Sequence, residues 1–462
     1  MLGDTIAAVS TPRGKGGVAL LRISGPEALA IASRVCKPKN GKPLSAAPSR
    51  TAIYADILAP EKDGTWLAVD DGLVTVFRAP ASFTGEDTVE LCCHGGMLLT
   101  ETVLTAVLAA GARAAQAGEF TRRAFLNGKL GLSSAEALGN MLEAQTREQL
   151  TLAHAGMHGK IEGRCREIYD TLCATLASIY VKIDYPDEEL ADMSREEIIE
   201  ALSASADRLS SLAESYRTGH AIAEGIATVI CGRPNVGKSS LYNRIVGREA
   251  AIVTEVEGTT RDVLTEVASL GRVTLRLFDT AGLHETADPV EQIGIARANS
   301  AMEHAELILA VFDVSAPVSA EDKALMERLE AVPCTVVAVL NKADRASVSA
   351  EHYRAHFANT VTLAAKDGTG MDELTALVER LFTDGKLDSR TDAVLTNARQ
   401  HAAAISSLEA VRRALDSLRA GYPIDLCCTD VELAMEALTE LDGRAVSEDI
   451  VSEIFSHFCV GK

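Results

Sequence analysis

Hydrophobic and polar positions change rhythm along the chain. Near the start, short apolar runs are bounded by Gly, Pro and Asp: VALLRI (18–23), TAIYADIL (51–58), GLVTVFRA (72–79) and TVELCC (88–93). Runs of this length with such punctuation predict strands. A helical spacing follows from Gly96 to Leu108, so the first 120 or so residues read as an α+β module. From Ser133 to Ile183 the pattern turns helical, with Ile161, Ile168, Leu172, Leu176, Ile179 and Ile183 on one heptad-like face. Asp184-Tyr185-Pro186 stops that helix, because Pro removes a backbone donor. The acidic stretch from Pro186 to Glu200 reads as a solvated loop and helix start.

Around Gly219 the texture changes again. IATVIC (226–231), VTLRLF (273–278), LILAVFDV (307–314), TVVAVL (335–340) and TVTLA (360–364) alternate with helical patterns. Strands alternating with helices imply a parallel sheet with crossover helices. The pattern is helical once more beyond Asp384. Four segments result: an α+β module over 1–120, a helical part over 121–218, an α/β module over 219–384, and a second helical part over 385–462. The economical architecture is one α/β domain inserted into an all-helical domain, preceded by an α+β domain.

A length of 462 residues fits that scale of about three domains. With 47% apolar and 24% charged residues, disorder over most of the chain is excluded. The balance of 45 basic and 65 acidic residues gives a net charge of −20, so any RNA contact needs a local basic patch or a partner protein. Aromatics at 4% argue against the stacking platforms of single-strand binders. The ten cysteines include no CxxC pair, and no signal peptide or apolar run of membrane-spanning length appears. The expectation is a reduced, cytoplasmic protein without a membrane span.

Gly232-Arg233-Pro234-Asn235-Val236-Gly237-Lys238-Ser239 matches GxxxxGK[ST], between a predicted strand and a predicted helix. Such glycines let backbone N–H groups turn onto phosphate oxygens; Lys238 offers a point charge to the β/γ-phosphates and Ser239 a hydroxyl to Mg²⁺. The helix N-terminus, with Ser240, adds positive potential. Asp279-Thr280-Ala281-Gly282 follows a second apolar strand and suits the Mg²⁺ shell and the γ-phosphate. Asn341-Lys342-Ala343-Asp344 ends a third. The Asp344 carboxylate matches the donors of guanine, and adenine would leave it unpaired, which selects GTP over ATP. Ala364-Ala365-Lys366 follows the next strand and would support the base through backbone N–H groups. Where small regulatory GTPases carry a water-orienting Gln after their DTAG-type glycine, this chain has Leu283. Water positioning and charge neutralisation must come from elsewhere.

Thr254-Glu255-Val256-Glu257-Gly258-Thr259-Thr260-Arg261-Asp262, with GRPNVGKSS before it, resembles the potassium-dependent TrmE-Era-EngA-like GTPases. DTIAAVSTPRGKGGVALLRISG at the start, SFTGEDTVELCCHGG (82–96), GEFTRRAFLNGK (118–129) and the ending Phe458-Cys459-Val460-Gly461-Lys462 narrow the match. Together they resemble the tRNA-modification GTPase family MnmE, also called TrmE, over essentially the whole chain.

That resemblance implies a homodimer joined through N-terminal folate-binding domains. With an FAD-dependent partner, MnmG, the family adds a carboxymethylaminomethyl or aminomethyl group at C5 of the wobble uridine (position 34) of certain tRNAs. The one-carbon unit comes from a tetrahydrofolate, as 5-formyl- or methylene-tetrahydrofolate, and FAD sits on the partner only. The resemblance also implies that Asn235, with carbonyls of Thr254, Val256 and Thr259, holds K⁺ in place of an arginine finger, and that Thr260 joins Ser239 at Mg²⁺. Glu291 in PVEQIG resembles the water-orienting glutamate; a solvated helix start is its plain alternative. Arg22, Glu90, Lys129 and Lys462 match folate-site positions, and otherwise Arg22 and Lys129 read as surface charges. Cys459 reads either as a reactive thiolate or as a packed small hydrophobe. Cys92-Cys93-His94 suggests a metal cluster only at first glance, since adjacent strand residues point to opposite faces. The competing enzyme class is a ribosome-assembly GTPase of the same potassium-dependent kind. A non-hydrolysing GTP sensor is the competing binding function.

Overall fold

The computed structural model describes residues 3–185, 193–247, 265–278, 304–345, 348, 350–385, 387–388 and 390–461. The chain divides into two compact units, Met1–Gly139 with Asp442–Lys462, and Asn140–Leu441. Each is described by itself.

Unit 1 is built on a seven-stranded sheet of order β3-β4-β5-β6-β2-β1-β7. The strands are β1 (Ile6–Val9), β2 (Val18–Ser24), β3 (Cys36–Pro38), β4 (Ala52–Pro60), β5 (Trp66–Phe77), β6 (Thr88–His94) and β7 (Arg113–Ala114). Period-two alternation sorts the side chains. Ala19, Leu21 and Ile23 of β2 and Val89, Leu91 and Cys93 of β6 face a core shared with the helices Ala28–Val35 and Met97–Ala109. Leu20, Arg22, Glu90 and Cys92 fall on the other face, with Arg22 directly opposite Glu90. Cys92 and Cys93 therefore part as the alternation requires. The Gly14–Gly17 segment joins β1 to β2 as a hairpin connection.

A smaller core in unit 1 gathers Leu132, Ala135, Val451, Phe455 and Phe458. The aromatic pairs Phe125–Phe455 and Phe455–Phe458 stand 6.2 and 5.5 Å apart. The terminal segment then runs against the start of the chain. Val460 bridges Ala117, and Ser10 Oγ donates to the Gly461 carbonyl at 3.0 Å. Gly461 has φ +102°, and a Cβ there would stand 2.3 Å from the Val9 oxygen. Residues 442–461 thus pack with the N-terminal residues. The contacts part the two units at 139 and 442, and Phe455 and Phe458 bury against the 119–139 region.

In unit 2, the helices Lys160–Asp184, Arg195–His220, Ala398–Arg419 and Cys428–Asp442 enclose one core that includes Ile161, Ile168, Leu172, Leu176 and Ile179. The first of these ends two residues before Pro186, as the sequence predicts. The second starts from Ser194 with a capping box: Ser194 Oγ accepts from Glu197 N–H, and Glu197 accepts from Ser194 N–H. Cys427 and Cys428 are buried in the same core.

The sheet of unit 2 has the order β13-β12-β11-β8-β10-β9. Its strands are β8 (Ile226–Cys231), β9 (Thr265–Leu270), β10 (Val273–Phe278), β11 (Leu307–Asp313), β12 (Thr335–Asn341) and β13 (Thr360–Thr362). Only β9 is antiparallel to its neighbour. The central strands are largely apolar because both faces are covered by cores. Entry and exit of this module lie side by side: Leu395 N–H donates to Ser215 Oγ at 3.1 Å and Asp384 N–H to Thr218 Oγ1 at 2.8 Å.

Candidate functional site

In an open parallel sheet, ligands bind beyond the carboxyl ends of the strands, where the chain winds to opposite sides of one strand. That strand is β8, flanked by β10 and β11. The GRPNVGKS loop leaves its carboxyl end and opens the helix Lys238–Val246. Gly232, at φ +148°, brings the loop so close to β11 that a Cβ would meet the Val311 oxygen at 2.4 Å. Asn235 has φ +62° and Gly237 φ +102°, so the backbone doubles back on itself before the helix. Such turns line N–H groups along an anion-sized concavity. Val236 is fully buried and anchors the loop, while Asn235, Ser239 and Ser240 are exposed. Lys238 Nζ donates to the carbonyls of Gly232 and Arg233, each at 2.9 Å. Burial lowers its pKa, so a phosphate oxygen there would find a partly desolvated ammonium.

Asn341 ends β12 and is 3% exposed. Its Nδ2 donates to the Val236 carbonyl at 2.8 Å and its Oδ1 accepts from Ala365 N–H at 2.9 Å. One amide side chain thus ties together the phosphate loop, the NKAD segment and the AAK segment. Lys342, with φ +63°, donates through Nζ to the Asn235 carbonyl at 2.9 Å and to Asp313 Oδ2 at 2.7 Å. Ala343 N–H bonds the Leu363 carbonyl, and Ala343–Arg345 form a single 3₁₀ turn that carries Asp344. Asp344 is exposed beside Arg345 Nε at 3.3 Å. Arg244 donates to the Ala365 and Lys366 carbonyls at 3.3 and 2.7 Å, and Ala364 is buried. Asp313, Arg233 and Arg244 were not singled out from the sequence. The signal for Asp313 is its place at the end of an apolar strand, in register with Asn341.

The sequence-assigned residues Thr254, Glu255, Val256, Glu257, Gly258, Thr259, Thr260, Asp279, Thr280, Ala281, Gly282, Leu283 and Glu291 lie outside the described residues, as does Lys462.

Unit 1 holds the other predicted group. Arg22 donates to Glu90 Oε1 through Nε at 3.0 Å and Nη2 at 2.8 Å. The guanidinium lies 5.4 Å from the Phe83 ring and 5.7 Å from the Phe120 ring. Lys129 Nζ donates to the Pro80 carbonyl at 2.9 Å, and Asn127 Nδ2 to the Thr84 carbonyl at 2.7 Å. Arg22 and Lys129 thus meet the same 78–87 connection from two elements. Beneath it lies a network that sequence reasoning missed. Arg123, 2% exposed, donates to Glu86, Asp4 and Glu119. Burial alone would lower its pKa; the three carboxylates outweigh that and raise it. Ser24 Oγ bonds Glu86 Oε2 at 2.8 Å and pairs with Thr84 Oγ1 at 2.7 Å. Cys459 is exposed, its carbonyl accepting from Gly118 N–H. His94 Nδ1 pairs with Asp70 Oδ1 at 2.8 Å, on a strand where Cys93 is buried in the opposite face.

Among the described residues no helix is long and apolar enough to cross a membrane. Comparison with known proteins gives two family matches: GTP-binding protein TrmE N-terminus over residues 5–129 and MnmE helical domain over residues 132–459. Curated relatives named tRNA modification GTPase MnmE align along their whole length. The protein of Heliobacterium modesticaldum is 41% identical over 100% of both chains. That of Bacillus subtilis is 38% identical over 99% of this chain and 100% of the relative. Among solved structures, a variant of Aquifex aeolicus Era with GDP and aluminium fluoride is 25% identical over 40% of this chain and 65% of its own, with a TM-score of 0.28. The G domain of the T. maritima FeoB iron transporter is 24% identical over 33% of this chain and 96% of its own, with a TM-score of 0.26.

Proposed function

This chain belongs to the MnmE family of tRNA modification GTPases, and from that premise we propose that it hydrolyses GTP at the carboxyl end of β8 in a potassium-activated reaction coupled to modification of a wobble uridine. The observation that carries the reading is the Asn341 side chain, which fixes the phosphate loop against the base-side segments through Val236 and Ala365. A nucleotide placed across that tie has its phosphates at the loop and its base at Lys342, Asp344 and Ala365. Asp344 accepts from the guanine donors, with Ala364, Ala365 and Lys366 closing the base edge. Lys238 exchanges its two loop carbonyls for phosphate oxygens.

The exposed Ser239 hydroxyl and Asn235 amide suit hard cations, and their oxygen donors fit Mg²⁺ and K⁺ respectively. Thr254, Val256 and Thr259 complete the proposed K⁺ set and Thr260 the Mg²⁺ set. K⁺ when bound supplies fixed positive charge against the developing charge on the phosphates. Glu291 orients the attacking water, in the absence of a glutamine at Leu283. Asp279, Thr280, Ala281 and Gly282 read the γ-phosphate.

The second chemical centre is in unit 1. Arg22, Glu90, Lys129 and Lys462 hold a tetrahydrofolate that carries the one-carbon unit, and Cys459 takes part in the transfer chemistry. The Arg22–Glu90 pair supports this reading: a cation and an anion side by side, flanked by Phe83 and Phe120, suit a ligand with carboxylates and an aromatic ring. The working assembly is a cytoplasmic homodimer with an MnmG-type FAD protein and tRNA.

Single-turnover hydrolysis by the full chain tests the first centre: potassium accelerates it strongly and sodium does not. Equal rates in the two salts overturn the cation assignment. Asp344→Asn swaps an acceptor for a donor and shifts preference from GTP toward xanthosine triphosphate, with about a 100-fold loss of GTP affinity. Unchanged base preference would place base recognition elsewhere. Mass spectrometry of wobble uridines from cells lacking the protein tests the modification itself, since C5-substituted uridines disappear.

A further inference from the structure

Two basic and two acidic side chains crowd the space between the phosphate loop and the end of β11. Arg233 Nε donates to Asp322 Oδ2 at 3.2 Å, and Asp322 is 1% exposed. Asp322 is the third helical residue of Ala320–Glu330 and is fixed there by a capping box with Ser319. Arg233 Nη2 stays 4.0 Å from Asp313. The partners are therefore sorted: Arg233 goes to Asp322, and Asp313 faces Lys342 at 2.7 Å. Asp313 is 7% exposed. Its Oδ1 is occupied by the N–H and hydroxyl of Ser315, which leaves Oδ2 aimed at Lys342. A long flexible side chain in the left-handed backbone region is thus held by one buried carboxylate and by the Asn235 carbonyl.

We infer that Asp313 is a positioning residue for guanine-nucleotide recognition: it locks the Lys342 side chain across the base end of the site before nucleotide arrives. The inference rests on reading this end of the sheet as the nucleotide site. Lys342 is rotamer-rich when free. A preset lysine loses little of this freedom on binding, so the affinity gain is delivered through Lys342 alone.

The test is a double-mutant cycle on the full chain, read by fluorescent GDP binding. Asp313→Ala weakens binding about tenfold, and Asp313→Asn, which keeps the shape and one acceptor, weakens it less. In a Lys342→Ala background, Asp313→Ala adds no more than about twofold. In steady state KM rises while kcat holds within about twofold, which separates positioning from chemistry. Ser315→Ala, which removes the hydroxyl but not the N–H from the other oxygen of Asp313, leaves affinity within about twofold. Equal losses from Asp313→Ala in both backgrounds, or a Ser315→Ala loss matching that of Asp313→Ala, would mean that Asp313 merely holds its own turn, and either result overturns the inference. Asp313→Asn guards against an alanine variant that fails to fold: affinity equal to the unaltered chain also overturns it. Absence of GDP binding by the unaltered chain would instead refute the nucleotide-site reading on which the inference stands.

Discussion

At the carboxyl end of the unit 2 sheet, the chain segments are placed largely by main-chain geometry, with the Asp313–Lys342 and Arg233–Asp322 pairs beside them. Asn235, Gly237 and Lys342 all have positive φ, and the buried Asn341 amide bonds to backbone atoms, the Val236 carbonyl and Ala365 N–H. Unit 1 places charge in another way. Arg22 answers Glu90, Arg123 answers Asp4, Glu86 and Glu119, and Arg113 answers Asp4 and Glu119. In the first region a ligand completes a set of groups held mainly by backbone. In the second, side chains already satisfy one another, and a ligand has to compete with or join existing pairs. The first design favours tight, selective binding; the second favours a stable, preset shape.

The largest effect separating the two falls on unit 1. Arg123→Ala leaves three carboxylates around a buried gap, which costs about 3–5 kcal/mol of stability. Chemical denaturation followed by a probe in unit 1 reads that loss, while GDP affinity in unit 2 stays unchanged. Loss of GDP affinity in this variant would break the contrast. Next comes Gly237→Ala. A Cβ there would stand 2.1 Å from Asn341 Nδ2 at a φ of +102°, so the tie between loop and base reader must open. GDP affinity falls about 100-fold, together with a drop of several degrees in melting temperature, measured by titration and calorimetry.

The smallest effect lies where the α/β module joins its helices. His220, at the end of Arg195–His220, stands 3.2 Å from Glu224 and 3.0 Å from Glu306. Tyr216 stacks on His401 and tilts against His220, and Arg276 adds positive charge near Glu306. Pairing with Glu224 and then Glu306 raises the His220 pKa to about 9, against the lowering effect of burial. Because the folded pKa is the higher, this contribution is fully present below the ordinary histidine value and is lost as pH rises through about 9. His220→Gln removes about 1 kcal/mol at pH 6 and nearly nothing at pH 10, by denaturation at the two pH values. An equal loss at both would mean the ring acts by packing.

The contrast also explains what was legible in the sequence. Backbone-defined sites leave short, fixed spacings, so GRPNVGKS and NKAD could be read directly and their strands placed to within a residue or two. Arg22 and Glu90 were found only through resemblance, although strand alternation puts them on one face. Arg123 was missed because its partners come from positions 4, 86 and 119, and no local spacing encodes such a meeting. Asp313 was missed for a different reason: a lone carboxylate at a strand end is common, and its meaning appears only when the parallel register sets it beside Asn341. The packing of Phe455 and Phe458 with Leu132 and Ala135 was not legible, because these apolar partners come from far along the chain.

The seating of Val460 against Ala117 and of Gly461 against Val9 and Ser10 has a consequence for biosynthesis. Residues 442–462 leave the ribosome roughly 300 residues after Gly139, a delay on the order of 15–60 s during translation. Throughout that interval the nascent amino-terminal portion waits with the docking places for Phe455 and Gly461 open. An elongation that aborts within the intervening helices or α/β module therefore yields a polypeptide whose opening portion lacks these contacts.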